Sequence, residues 1–309
     1  MKHPDVSVVI PTRDRLHFLQ RAVTCATRQR DVTVEVVVVD DGSTDGTADW
    51  LSANRDGVRT VCHDSSRGLA QARNAGIAEC RGIWVAFLDD DDVWSPNKVA
   101  AQLQAAVEVE AAWAYSAVVL VDEDLKARQL MPFPEPADVR RRILASQVIP
   151  AGSSNVVVRR RALDRVGVFD EKLAHLADWD LWTRLALDGP VGGASDVLVG
   201  YVEHDHNMHA GPDLDSTFAE LDYLELKHRQ AREEAGVRID VAAFVRWAAW
   251  GHRRAGRRWR ASALHARGAV ERRDVRELKE AARALLGTRP LRWWTTERPP
   301  EPEWLALYR

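Results

Sequence analysis

The sequence predicts an α/β fold: a Rossmann-like, mostly parallel sheet across the first two thirds of the chain, then an α-helical, basic C-terminal extension. Three observations carry that prediction. Short β-branched apolar runs alternate four times with helix-spaced segments within the first hundred residues, the rhythm of right-handed βαβ crossovers. Acid-rich polar turns stand directly after the strand-like runs, where open parallel sheets form their ligand crevice. After about residue 212 strand signals vanish and Ala, Arg and Leu dominate.

Each element follows from its local pattern. "VSVVIPT" (6–12) is a doubly buried strand ended by a proline, and "RLHFLQRAVTCATRQ" places Leu16, Leu19, Val23 and Ala26 at helical spacing. "VEVVVVDDGSTDGTADWL" reads as a second buried strand, an acidic turn and a helix start. "VRTVCHD" is a third strand, "GLAQARNAGIAEC" an alanine-rich helix, and "IWVAFLDDDD" a fourth strand running into four aspartates. "KVAAQLQAAVEVE", from Lys98, reads as the next helix, for which Trp94-Ser95-Pro96 is a plausible start and Asp92 a cap. Beyond it "AAWAYSAVVLVD" and "NVVVRRR" read as strands and "DWDLWTRLALDG" as an amphipathic helix stopped by Gly189. The tail "RPLRWWTTERPPEPEW" is too rich in proline to be regular. The expected organisation is two halves of one α/β domain, 1–100 and 101–212, followed by a helical, basic extension, 213–309.

Composition bounds the function. The 309 residues, 46% hydrophobic, suffice for a sizeable core. From Lys227 onward 20 Lys and Arg face 10 Asp and Glu, whereas 23 face 36 before it, so the front is acidic and the back basic. No run of about 18 apolar residues occurs, and the opening "MKHPDVSVVIPT" lacks a secretion signal. Cys25, Cys62 and Cys80 have no metal-binding spacing and are expected to be buried, reduced thiols. These features point to the cytoplasm; the Trp- and Arg-rich C-terminal helices would allow contact with the inner face of a membrane. Without a reading motif, nucleic acid is not an expected partner.

The polar motifs carry the chemistry. Pro11-Thr12-Arg13-Asp14, Asp40-Asp41-Gly42-Ser43 and Asp89 to Asp92 follow three strands whose ends should converge. Asp40 and Asp41 alone could be a helix cap with a glycine turn. Four adjacent aspartates exceed what a cap needs, and they repel one another unless a cation neutralises them.

"VSVVIPTRDR", "VVVDDGSTDGT", "SRGLAQARNAGI", "FLDDDDVWSPNK", "SSNVVVRRRALDRVGVFDE" and "DWDLWTRLA", in that order, resemble the family 2 glycosyltransferases, inverting enzymes of GT-A fold. The resemblance covers roughly residues 4 to 210. It implies a nucleotide-sugar donor, UDP- or dTDP-linked, and a divalent cation, Mn2+ or Mg2+. It makes Asp91 the metal ligand, sets Asp89 and Asp90 on the nucleotide side, and suggests His204 near the metal or diphosphate. Asp41 would accept the N3–H of uracil or thymine, with Pro11, Thr12 and Arg13 at the pocket wall and Arg73 near the nucleotide. Asp178 would be the general base for an acceptor hydroxyl, in a motif where Ala177 replaces the commoner glutamate. Asp180 is the competing candidate, and a helix cap the alternative role for Asp178.

Other readings stay open. Trp179 and Trp182 are either an acceptor platform or core. His204, His206 and His209 are too irregularly spaced for a zinc site. The acceptor could be a glycan, a lipid-linked sugar, a peptide or a small molecule. The C-terminal helices, with a tetratricopeptide-like hairpin, could be a cap, an acceptor-binding or dimerising module, or a membrane-surface anchor using Trp247, Trp250 and Trp259. Two alternatives to catalysis by transfer are a non-catalytic nucleotide-sugar-binding protein and a nucleotidyltransferase.

Overall fold

The computed structural model describes residues 4–54, 57–204, 214–254, 256–272, 275–286 and 299–309. Two compact units result: Met1–Ile143 with Val148–Val202 and Pro299–Arg309, and Leu144–Gln147 with Glu203–Arg298. The halves expected on either side of residue 100 therefore share one unit, and the C-terminal eleven residues belong to it as well.

The first unit is built on a nine-stranded sheet. Strands β1 (Val6–Thr12), β2 (Val34–Asp40), β3 (Val58–Cys62) and β4 (Trp84–Phe87) are parallel, in the spatial order β3-β2-β1-β4. Every residue of β1 and β4 is buried, as expected of strands covered on both faces. Helices α1 (Leu16–Thr27), α2 (Thr47–Ala53) and α3 (Leu69–Glu79) make the crossovers. α3 lies close on the sheet because Gly76 has no side chain; a Cβ there would stand 2.4 Å from a Val9 methyl.

The rest of the sheet is mixed. β5 (Val93–Trp94), β6 (Trp113–Val121), β8 (Val157–Arg159) and β9 (Gly192–Val202) extend it in the order β4-β8-β6-β9-β5, and β7 (Ala127–Leu130) pairs with β6 off this path. Here β8 runs antiparallel to β4 and β6, while β9 is parallel to β6. Helices α4 (Lys98–Glu108), α5 (Pro136–Arg142), α6 (Arg160–Val166) and α7 (Ala177–Asp188) complete the unit.

Several local expectations need correction. The helix read in "KVAAQLQAAVEVE" does begin at Lys98, but Val93 and Trp94 ahead of it pair with Gly200 and Val199 as strand β5 and are no part of its start. Asp92 does not cap it: fully buried, its Oδ1 accepts the Val202 N–H at 3.0 Å. Cys62, at a strand end, is exposed, whereas Cys25 and Cys80 are buried. Of the proline-rich tail, 289–298 lie outside the described residues and 299–302 are irregular as expected; the 3-10 helix Glu303–Tyr308 begins at its end, with Leu305 buried in the main core.

The second unit contains α8 (Leu214–Lys227), α9 (Arg229–Ala235), α10 (Val241–Arg254), α11 (Arg258–Arg272) and α12 (Val275–Leu286). Val245, Ala248, Ala261, Leu264 and Ala284 form its small core. Residues 287–298 and the side chain of Trp250 lie outside the described residues.

Candidate active site

The ends of β1, β2 and β4 meet as the sequence pattern requires. The Asp41 N–H donates to the Thr12 carbonyl at 2.9 Å, and the Thr12 hydroxyl donates to Asp90 Oδ2 at 2.7 Å. Asp14, in the left-handed region at φ 52°, accepts the Thr44 N–H at 2.6 Å, which ties the loop after β1 to the loop after β2. Pro11 is buried inside β1, and Arg13 is exposed beside Asp14, 3.6 Å away.

Two arginines neutralise part of the acid. Arg15 Nη1 reaches Asp90 Oδ1 at 3.2 Å and Asp91 Oδ2 at 2.9 Å, so one nitrogen bridges two carboxylates. Arg73 Nη2 donates to Asp89 Oδ1 at 2.5 Å, and its guanidinium lies 5.2 Å from the centre of the Phe169 ring. Burial, and then the charge of Asp91, push the Asp90 carboxyl up to about 7, against the opposing pull of Arg15 and Thr12. For Arg15 burial works downward, but the fields of Asp90 and Asp91 outweigh it and its pKa rises.

These residues fit a divalent cation. Asp89, Asp90 and Asp91 meet the guanidinium groups of Arg15 and Arg73, and their all-oxygen donor set suits Mg2+ or Mn2+. Arg15 Nη1 stands between Asp90 and Asp91 as an internal stand-in for such an ion. Among the described residues no three His, Cys, Asp or Glu side chains converge into a preformed cage. A cation here would fill its shell with water and donor phosphates, as Mg2+ commonly does. His204 is buried and belongs to the second unit, while His206 and His209 lie outside the described residues.

The paired aspartates after β2 have different tasks. Asp41 Oδ1 is 2.6 Å from His63 Nδ1 and accepts the Arg67 N–H at 2.9 Å; its Oδ2 accepts the Ser66 hydroxyl at 2.6 Å and the Gly68 N–H at 3.0 Å. Burial raises its pKa, but these bonds prevail and hold the carboxyl below its ordinary value. Asp40, also buried, accepts the Ser43 N–H on Oδ1 at 2.9 Å, and its Oδ2 has no hydrogen-bond partner among the described residues. Asp41 is thus saturated by the 63–68 loop, and Asp40 retains an unengaged oxygen.

A turn links the acidic loop to α7. Gly152–Asn155 form a 3-10 turn in which the Ser154 hydroxyl accepts the Asp89 N–H at 3.0 Å and the Ser154 carbonyl accepts Trp94 Nε1 at 2.7 Å. At its start Ala151 and Gly152 have φ of 55° and 47°. A Cβ on Gly152 would stand 2.6 Å from Asp178 Oδ2, so the turn packs directly on that carboxylate. Asp178 is the second residue of α7, where the helix dipole favours an anion.

Asp180, the competing candidate, is fully buried and held by Arg184 through Nε at 2.9 Å and Nη2 at 2.7 Å. Arg184 also donates to the carbonyls of Val166, Gly167 and Val168, so this pair fastens α7 to the preceding loop. Trp179 and Trp182 are core, not an acceptor platform. Trp179 Nε1 donates to the Ile143 carbonyl at 2.6 Å, and Trp182 stacks on Trp113 at 6.2 Å between ring centres. Sequence reasoning missed Arg15, His63, Ser66, Gly152 and Ser154. Arg15 had a visible signal, since it shares "PTRDR" with the residues already singled out.

A parallel half-sheet with carboxylates and guanidinium groups gathered at its strand ends agrees with the expected GT-A class, which the comparisons bear out. The family model described as glycosyl transferase family 2 matches residues 7–167, more than half of the chain, and the chain belongs to that family. It is 35% identical over 218 residues to the succinoglycan biosynthesis protein ExoO of Rhizobium meliloti (strain 1021), covering 66% of this chain and 61% of that protein. It is 32% identical over 124 residues to the putative teichuronic acid biosynthesis glycosyltransferase TuaG of Bacillus subtilis (strain 168), covering 39% and 49%. An uncharacterized glycosyltransferase of Rickettsia bellii (strain RML369-C) is matched over only 29% of its length, so the chain spans less than two thirds of these relatives. Among solved structures, S. aureus TarS 1–349 in complex with UDP-GlcNAc superposes with a TM-score of 0.59 at 17% identity, covering 91% of this chain and 81% of TarS 1–349. That likeness shows the fold.

Proposed function

We propose that the protein is an inverting glycosyltransferase that moves a sugar from a UDP- or dTDP-sugar to an acceptor hydroxyl by direct displacement. The carrying observation is the Gly152–Asn155 turn, which binds the Asp89 backbone at one end and packs on Asp178 at the other. A candidate base and a candidate diphosphate platform are thereby fixed to one rigid segment. The UDP-GlcNAc seen with TarS supports a UDP-linked donor.

In this reading Asp91 holds Mn2+ or Mg2+, which when bound supplies positive charge to the leaving diphosphate. Asp89 and Asp90, with Arg73 and Thr12, order the nucleotide side. The nucleobase N3–H meets the Asp40–Asp41 pair, where Asp40 Oδ2 is the open acceptor and Asp41 holds the surrounding loop. Asp178 takes the proton of the acceptor hydroxyl as the oxygen attacks the anomeric carbon, and the bond to the diphosphate breaks on the opposite face. Exclusion of Asp180 strengthens the assignment, because a fully buried carboxylate locked to Arg184 has no access to an acceptor.

Release of UDP from a donor panel, with Mn2+ and candidate acceptors, tests the reading. Asp178→Asn should lower kcat by about 100- to 10,000-fold with donor affinity kept. Asp91→Asn should lose turnover and also the metal dependence of UDP binding. Full turnover by either variant would refute its assigned role.

A further inference from the structure

The α11–α12 hairpin presents a surface that the proposed chemistry does not use. The two helices are joined by residues 273–274, and Trp259 near the start of α11 lines one open cleft with Leu285 and Leu286 at the end of α12. The helices therefore run antiparallel. Their inward faces are accounted for: Ala261, Leu264 and Ala284 pack in the core, and buried Glu277 and Glu280 are paired with His265, Arg246, Arg253 and Arg283.

The outward face has another composition. Trp259 is 79% exposed, Val270 78%, Leu286 74% and Val275 65%. Val275, Leu278, Ala282 and Leu285 are exposed at i, i+3, i+7 and i+10, one stripe of α12, and Trp259, Ala263 and Val270 form a second stripe on α11. Every exposed charged side chain described between residues 256 and 286 is basic: Arg258, Arg260, Arg267, Arg276 and Lys279. Both described acids of that stretch are turned inward. Among the described residues folding has thus sorted the charges, leaving a face of large apolar groups edged by cations.

We propose that this hairpin face docks on an anionic lipid surface. An interfacial helix needs an apolar stripe to enter the acyl boundary, an aromatic residue at headgroup depth, and Lys or Arg to meet lipid phosphates; Trp259, Leu286 and the five cations supply these. A second copy of the chain is a poorer occupant, since it would set the same cations against one another. Long Arg and Lys stems can lie along the apolar stripe with their charged ends at the phosphates.

The test is flotation of the full chain with vesicles of phosphatidylcholine containing about one third phosphatidylglycerol, and with pure phosphatidylcholine vesicles. The expected result is binding to the anionic vesicles only, weakened by salt. Arg258→Glu/Arg260→Glu should reduce partitioning about 30-fold or more, and Trp259→Ser/Leu286→Ser roughly tenfold. All four positions are exposed, and unchanged thermal midpoints would exclude misfolding as the cause. Failure to float with anionic vesicles, equal binding to neutral ones, or a dimer abolished by Trp259→Ser/Leu286→Ser without any vesicle effect would each overturn the proposal.

Discussion

Asp41→Asn separates a loop-holding carboxylate from a mere turn residue. Asp41 receives four donors, two on each oxygen, and an amide in its place leaves two of them facing an NH2 group. A hydrogen bond to a charged acceptor contributes roughly 1.5–3 kcal/mol, so losing two costs about 3 kcal/mol or more, roughly 100-fold in the local opening constant. Hydrogen exchange of the segment around Arg67 and Gly68 reads that constant directly. The pH dependence has a definite sign. Because the folded-state pKa is depressed, the stabilisation is complete above the unfolded value of about 4 and is lost as pH falls through the folded value. The gap between wild type and variant should therefore hold from neutral pH to about pH 4 and close below it. Equal protection in both proteins at neutral pH, or a gap unchanged in strong acid, would refute the reasoning.

Three further outcomes follow from the same geometry. Arg15→Gln removes the guanidinium lodged between Asp90 and Asp91 and should tighten Mn2+ binding roughly tenfold by calorimetry, a gain of about 1.4 kcal/mol from a vacated cation position. Gly152→Ala drives a methyl into Asp178 and should lower kcat at least tenfold, since it displaces the proposed base. Arg184→Ala removes the cation bonded to the buried Asp180 and should cost about 3 kcal/mol in denaturant unfolding.

Much of the parallel half-sheet was legible because doubly buried strands have a simple signature. "VSVVIPT" and "VEVVVVD" became β1 and β2 with the expected polar turns at their ends. The acidic cluster was legible as an electrostatic problem. Its partial solution was not, because Arg15 meets Asp90 and Asp91 across more than seventy residues, a contact no local pattern encodes. Trp94 misled for a related reason. Ser-Pro suits a helix start, yet pairing with β9 claimed Val93 and Trp94 first. For Trp179 and Trp182 the helical spacing was right, but which face would be covered depended on Ile143 and Trp113, distant in sequence. Gly152 carries no signal at all until Asp178 is placed beside it.

Direct displacement at the anomeric carbon is the centre of the proposed function, and proton NMR of the first-formed product observes it. With an α-linked UDP-sugar turned over onto an acceptor, or onto water, inversion by a hydroxyl activated at Asp178 predicts a β-anomer as the initial product, formed at least about 100-fold more slowly by Asp178→Asn. An initial α-anomer, or the same product at the same rate from the variant, would contradict it.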